Sequence, residues 1–260
     1  MKTLVRAKFL LLLPVLCLVL AAPAVASYHT PLHIGVRCQN DFQYGWAPHV
    51  DLYSMCNQFI VQIHYTDFID FYYNLQGGAP AFQYGNGQET CSGCGGVDSV
   101  DFFFLATHGF TDASGYVMWD YNSGAYLSSM RLGSSGKQVK VFATYACDTF
   151  RTYDGHFWDR WGNAFRGGLK IAVGGHDNLY DGNSQKGWEF AGRMQNGEAI
   201  SQSWLEAVWY ADNNNTPSAA STGTDANDCF TRLGMNLFVG YVPLRDGQIG
   251  SWCARGWNGV

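Results

Sequence analysis

Three short apolar runs are spaced along the middle of the chain, each bounded by Gly, Ser or Asp. They occupy residues 101–109, 139–148 and 169–173. Apolar periodicity alone does not separate a buried strand from a buried helix, but short length and many aromatic or β-branched residues favour strands of a parallel sheet. A shorter run at 32–36 predicts a first strand.

Helical spacing of apolar residues separates these runs. It predicts helices within 51–74, over 157–165, and over 188–195 and 200–210. Strands that alternate with helices predict an α/β fold with a mainly parallel central sheet. We further expect a hairpin arm at 116–120, a last strand at 237–242, a Gly-rich loop at 76–96 and a polar surface loop at 212–228.

The first 26 residues have the pattern of a secretory signal peptide. Lys2, Arg6 and Lys8 precede the apolar stretch 9–20, and Ala24-Val25-Ala26 offers a cleavage site. The apolar stretch is shorter than the roughly 20 residues of a membrane span. We therefore predict a secreted protein, extracellular or periplasmic, with a single domain over 27–260 and no membrane association after cleavage.

Charge excludes one class of partner. The full chain carries a net charge of −5, and removal of the basic leader makes it more acidic. Such a chain has no basic surface for nucleic acid. We expect no nucleic-acid partner, and the sequence leaves the oligomeric state open.

The cysteines are odd in number once the leader is removed. They are Cys38, Cys56, Cys91, Cys94, Cys147, Cys229 and Cys253. An oxidising compartment favours three disulfides and one remaining thiol. Cys147 is the best candidate for that thiol because it ends a predicted core strand. The alternatives are an inert buried thiol elsewhere or a bridge from Cys147, for example to Cys229.

Cys91 and Cys94 form a C-x-x-C pair, which can be half of a zinc site or a redox dithiol. No second pair at metal-ligand spacing accompanies it, so structural disulfides are the better interpretation. We predict no metal and no cofactor.

His108 and Cys147 each follow a predicted core strand. If the strands are parallel, both residues leave the sheet at its carboxyl edge, where ligands bind in open α/β sheets. A thiol and an imidazole are the two groups that nucleophilic thiol catalysis needs. His156 and His176 are alternative bases, but only His108 ends a core strand and precedes a glycine, Gly109.

This arrangement, an apolar strand ending in His-Gly followed by one ending in Ala-Cys, resembles the caspase, legumain and gingipain group of cysteine peptidases. The resemblance covers about residues 98–175, and the flanks resemble uncharacterised bacterial secreted domains with a caspase-like core. It implies a three-layer α/β/α sandwich that hydrolyses a protein or peptide substrate. Cys147 would be the nucleophile, His108 the acid or base, and the amides of Gly109 and Cys147 the oxyanion hole. The residues after Cys147 match no signature of the group.

Two further expectations concern the choice of substrate and an alternative function without catalysis. Asp177 and Asp181 in the loop 174–182 would form an acidic wall suited to a basic substrate side chain. The alternative function is a catalytically inactive secreted domain that binds carbohydrate or protein, with aromatic side chains as stacking platforms unless they belong to the core. The candidate platforms are Tyr44, Trp46, Trp119 and Trp158.

Overall fold

The computed structural model describes residues 32–38, 50–64, 69–74, 97, 100–110, 115–118, 124–130, 132, 139–180, 185–236, 244 and 247–256. Several predictions fall outside these residues: the leader 1–26, the loop 76–96 with Cys91 and Cys94, the strand 237–242, Asp181, and the aromatics Tyr44, Trp46 and Trp119. No helix in the described part of the chain has the length and apolarity that crossing a membrane requires.

The described residues form an α/β structure with two sheets. The strands are β1 Leu32–Cys38, β2 Ile69–Asn74, β3 Phe102–Ala106, β4 Gly109–Phe110, β5 Tyr116–Met118, β6 Gly124–Tyr126, β7 Val141–Tyr145, β8 Ile171–Gly175, β9 Pro217–Gly223 and β10 Ser251–Gly256. The helices are α1 Val50–His64, α2 Phe157–Gly167, α3 Gln185–Gln195, α4 Ile200–Ala211 and α5 Ala226–Leu233, with a 3-10 turn at Leu127–Ser129.

The main sheet has the strand order β2-β1-β3-β7-β8-β9-β10. Strands β2, β1, β3, β7 and β8 are mutually parallel, whereas β9 runs antiparallel to β8, and β10 antiparallel to β9. The sheet is therefore mixed, with a parallel centre. Strands β4, β5 and β6 form a separate antiparallel sheet.

Helices cover both faces of the main sheet. In β3, Phe102, Phe104 and Ala106 pack into a core shared with α1, α3, α4 and α5, whereas Phe103 and Leu105 face a second core shared with α2. Every residue of β3 is buried, which explains why its sequence is apolar on both faces. The result is a helix–sheet–helix arrangement in three layers.

Local sequence sets the helix boundaries. Helix α2 ends where Gly168 adopts a left-handed conformation (φ 119°) and donates its N–H to the carbonyls of Ala164 and Phe165. Glycine adopts this conformation without the steric cost that a side chain brings. Helices α2, α3 and α4 confirm the predictions made from apolar spacing.

The prediction of helix within 51–74 is correct only to His64. Residues 69–74 form β2, parallel to β1 at the end of the sheet. The sequence IDFYYN is rich in residues that favour strands, and pairing with β1 decides the outcome.

The predicted surface loop at 212–228 is wrong. Residues 217–223 form β9, buried along its whole length, and α5 begins at Ala226. Small hydroxyl residues can occupy a buried strand when their oxygens are satisfied, and Ser221 Oγ donates to the carbonyl of Lys170 at 2.7 Å. The last described strand, β10, pairs with β9 and was not predicted.

In the described part of the chain, two disulfides join helices to the sheet. Cys38 pairs with Cys56, linking β1 to α1, and Cys229 pairs with Cys253, linking α5 to β10. The alternative bridge between Cys147 and Cys229 is therefore wrong. Among the described cysteines, Cys147 is the one outside a disulfide. Disulfides fit the oxidising compartment that the sequence predicts.

Candidate functional site

The pairing of β3 with β7 sets the geometry at the carboxyl edge. Ala106 lies opposite Tyr145, and the N–H of Thr107 donates to the carbonyl of Tyr145 at 3.0 Å. The parallel register thus continues past the ends of both strands. Two residues beyond Ala106 and Tyr145 come His108 and Cys147, so the two segments leave the sheet side by side.

Gly109 makes direct backbone contact with the cysteine. A Cβ atom at Gly109 would lie 2.4 Å from the carbonyl oxygen of Cys147 and 3.0 Å from the Cβ of Ala146. Such distances leave room for no side chain. The predicted motif His108-Gly109 therefore lies against Ala146-Cys147, and the catalytic roles of these residues stay predictions.

The Cys147 sulfur is half-buried and faces the backbone of Leu179. The N–H of Leu179 donates to Sγ at 3.3 Å, and the Leu179 carbonyl lies 3.7 Å from Sγ. A small cavity of about 10 Å³ adjoins the thiol, which is about the room that one water needs. Its lining residues are Leu52, Thr107, Tyr145, Ala146, Cys147 and Leu179.

The turn after Cys147 has an unusual backbone. Asp148 has φ 60°, the left-handed region that non-glycine residues rarely adopt. The turn is fixed because the Phe150 N–H donates to the Gly175 carbonyl at 2.7 Å. No helix begins within 148–156, and α2 starts only at Phe157. A helix dipole therefore does not favour the thiolate here, and the Leu179 N–H is the donor instead.

Charges beside the thiol are arranged as a network. Arg151 forms ion pairs with Asp148 and with Asp177, the latter at 3.3 Å. The hydroxyl of Tyr153 donates to Asp177 at 2.8 Å, and this hydrogen bond raises the pKa of Tyr153. Asp177 therefore already has a cationic partner, with which a basic substrate side chain would compete.

The alternative histidines lie in other surroundings. His156 is exposed, and its Nδ1 lies 2.9 Å from Asp159 at the start of α2. His176 follows β8, its ring is tilted against that of Tyr153 with centroids 4.9 Å apart, and burial lowers its pKa. Its Nδ1 lies 3.4 Å from Ser218 Oγ. Neither has the register with Cys147 that His108 has.

Lys186 is a site residue that sequence reasoning missed. It lies in the first turn of α3 with only 2% of its surface exposed. Its Nζ donates to the Tyr145 hydroxyl at 2.7 Å and to the carbonyl of Tyr180. A lysine at a helix start is normally exposed, so no signal in the sequence pointed to a buried amine that contacts Tyr145, two residues before the cysteine.

Two further findings bear on what the site holds. Among the described residues, no group of three or more His, Cys, Asp and Glu side chains is arranged to hold a metal ion. The predicted stacking residue Trp158 is half-buried, and its ring is stacked on that of Phe165 with centroids 6.3 Å apart. The guanidinium carbon of Arg166 lies 5.3 Å from the centroid of the Trp158 ring. Much of its surface is thus used in packing.

Comparison with known proteins gives a family and no function. No curated protein matches the chain. A family model described as a domain of unknown function, DUF6345, matches residues 70–253. The matched span runs from β2 to β10 and includes His108, Gly109, Cys147 and Lys186. The chain therefore belongs to the DUF6345 family.

Proposed function

We propose that this protein is a secreted cysteine peptidase with a caspase-like fold, in which Cys147 and His108 form the catalytic dyad. The observation that carries the proposal is the register of β3 with β7, together with the contact of Gly109 on the Cys147 carbonyl. A mainly parallel sheet with helices on both faces supports the fold assignment, and the disulfides support secretion.

The chemistry needs only groups at this edge. The thiol proton passes to His108, and Sγ attacks the carbonyl carbon of the scissile peptide bond. His108 returns the proton to the leaving amine as the C–N bond breaks, which leaves a thioester on Cys147. Water then hydrolyses the thioester and restores the thiol.

The oxyanion of each tetrahedral intermediate needs preorganised donors. The resemblance assigns this role to the backbone amides of Gly109 and Cys147, and such a donor contributes about 3–4 kcal/mol to transition-state stabilisation. Asp177 is the described candidate for selecting a basic substrate side chain, in competition with its ion pair to Arg151.

Peptide cleavage by the secreted chain 27–260 tests the proposal. We expect Cys147→Ala and His108→Ala each to lower the cleavage rate at least about a hundredfold, because each removes a group that acts on the reacting atoms. His156→Ala is the matched control, an exposed histidine expected to leave the rate unchanged. Circular dichroism and melting establish that the variants are folded. Undiminished cleavage by either dyad variant would refute the dyad.

A second candidate, an inactive binding module, has one observation in its favour. The cavity beside Cys147 holds about 10 Å³, and Leu179 lies against the sulfur. That cavity has room for about one water molecule and not for a substrate side chain. Binding of glycans or proteins that persists in Cys147→Ala, without cleavage by the parent protein, would favour this candidate.

A further inference from the structure

The backbone that contacts the Cys147 sulfur belongs to residues 176–180, which we call the cover segment. The cover segment is anchored at both ends by side chains and backbone outside it. At its start, the N–H groups of His176 and Asp177 donate to the carbonyl and hydroxyl oxygens of Thr216 at 2.7 and 3.0 Å. At its end, the N–H of Tyr180 donates to Asn215 Oδ1 at 2.6 Å.

Lys186 completes the anchoring at the end nearest the thiol. The carbonyl of Tyr180 accepts hydrogen bonds from Lys186 Nζ and from the Tyr145 hydroxyl. Lys186 Nζ also lies 4.9 Å from the centroid of the Tyr145 ring, and Tyr145 lines the cavity beside Cys147. One buried amine therefore connects the cover segment with β7, the strand that precedes the cysteine.

Burial of this amine has a cost that hydrogen bonds must offset. The described partners of Nζ are the hydroxyl of Tyr145, which comes two residues before Cys147, and the carbonyl of Tyr180, the residue after Leu179. A hydrogen bond to the sulfur favours a thiolate over a thiol. The Leu179 N–H supplies that hydrogen bond, and Lys186 acts on it through Tyr180, the next residue of the cover segment.

We propose that Lys186 is a positioning residue, which holds the cover segment so that the Leu179 N–H stays on Cys147 Sγ and the thiolate is favoured. Its importance for catalysis rests on the proposed peptidase function. The acidity of Cys147, however, can be measured without any substrate.

Other charged and titratable groups belong to the elements around Cys147. His108 comes from the end of β3, Asp148 and Arg151 from the turn after β7, and Asp177 from the cover segment. Asp148 opposes ionisation of the thiol, but it is paired with Arg151. An unperturbed histidine titrates near neutral pH, so the test compares variants that all retain His108.

The rate of alkylation of Cys147 by iodoacetamide, measured from pH 5 to 9, tests the proposal. We expect Lys186→Met to slow alkylation at pH 7 about tenfold, with an apparent pKa of Cys147 about one pH unit higher, since the thiolate fraction falls tenfold per unit. Lys186→Arg should retain most of the rate. Lys170→Met, which removes a buried lysine from the opposite edge of the sheet, should leave the rate unchanged.

Asn215→Ala is the second variant, because it releases the cover segment without changing a charge. We expect it to slow alkylation as well, and it decides the outcome if Lys186→Met does not fold. Unchanged alkylation profiles in the folded variants overturn the proposal. A shifted profile in a protein that cleaves no peptide supports the role of Lys186 and removes the peptidase function. Peptide cleavage together with unchanged alkylation profiles supports the peptidase function and overturns the role of Lys186.

Discussion

Two lysines are buried to nearly the same degree at opposite edges of the main sheet. Lys186, at the carboxyl edge, is 2% exposed and meets the Tyr145 hydroxyl and the Tyr180 carbonyl. Lys170, at the amino edge just before β8, is 3% exposed, and its charged neighbours are Lys140 and Arg232 with Asp101. Burial, followed by repulsion from Lys140 and Arg232, lowers the pKa of Lys170 to about 7.

The difference shows that burial alone does not define a functional lysine. At the carboxyl edge, the amine is bonded to oxygen acceptors that also position the cover segment around one sulfur atom. At the amino edge, burial and the charges of Lys140 and Arg232 oppose protonation, and no described contact of the amine leads to a thiol. The described contacts of the amine at the carboxyl edge thus lead to a thiol, whereas those at the amino edge do not. Three substitutions test this comparison.

The largest effect is expected from Gly109→Ala at the carboxyl edge. The new Cβ would lie 2.4 Å from the Cys147 carbonyl oxygen, so one of the two segments must move. We expect peptide cleavage to fall about a hundredfold or more and the free energy of unfolding to fall by about 1–3 kcal/mol. Cleavage assays and urea denaturation measure the two effects.

Gly192→Ala in α3 is the control for that substitution. A Cβ there meets nothing closer than 3.6 Å, so the change should leave cleavage intact and stabilise the helix by about 0.5–1 kcal/mol. Normal cleavage by Gly109→Ala would show that the contact between Gly109 and the Cys147 carbonyl is not needed for activity. The main observation behind the proposed function would then no longer support it.

An intermediate effect is expected from Lys170→Met at the amino edge. The pKa of Lys170 is 10.5 in its ordinary state and about 7 in the fold. Between these values the unfolded chain binds a proton that the folded chain does not, so the free energy of unfolding rises with pH across that window. The expected rise is on the order of 1 kcal/mol per pH unit in the middle of the window.

Urea denaturation at pH 7, 8 and 9 measures this rise. Because other groups also titrate, the quantity to follow is the difference between the parent protein and Lys170→Met. The parent should gain stability over the variant as the pH increases. A constant difference across the window would mean that Lys170 is not held in the surroundings described, and the contrast between the edges would weaken.

The parts of the fold that the sequence predicted share a strong apolar signal. The strands β3, β7 and β8 and the helix α2 are recognisable because their apolar residues are large and their ends carry Gly or Asp. The strand β9 has the sequence PSAASTG, which resembles a loop in composition. It forms a strand because it pairs with β8 on one side and β10 on the other. The local pattern of apolar and polar residues does not reveal that pairing.

The candidate site divides in the same way. His108, Gly109 and Cys147 stand at strand ends, so their common edge could be predicted from chain order. Leu179 acts through its backbone, and Lys186 reaches the site only because α3 lies beside the cover segment. Backbone donors and distant side chains are placed by tertiary packing, which leaves no local trace in the sequence.

The smallest effect is expected from Asp148→Gly in the turn after Cys147. Glycine adopts φ 60° without strain, which favours the variant, whereas loss of the partly exposed ion pair with Arg151 disfavours it. The two contributions are each about 1 kcal/mol or less, so urea denaturation should detect little change. Asp148→Val keeps neither advantage and should destabilise the fold by about 1–3 kcal/mol, because a β-branched residue is strained at positive φ.

Alkylation of Cys147 gives a second measurement of the same turn: removal of the adjacent carboxylate should slightly increase the alkylation rate in Asp148→Gly. If Asp148→Gly instead destabilised the protein as much as Asp148→Val, the carboxylate rather than the backbone would hold this turn, and the ion pair with Arg151 would be part of the edge's framework.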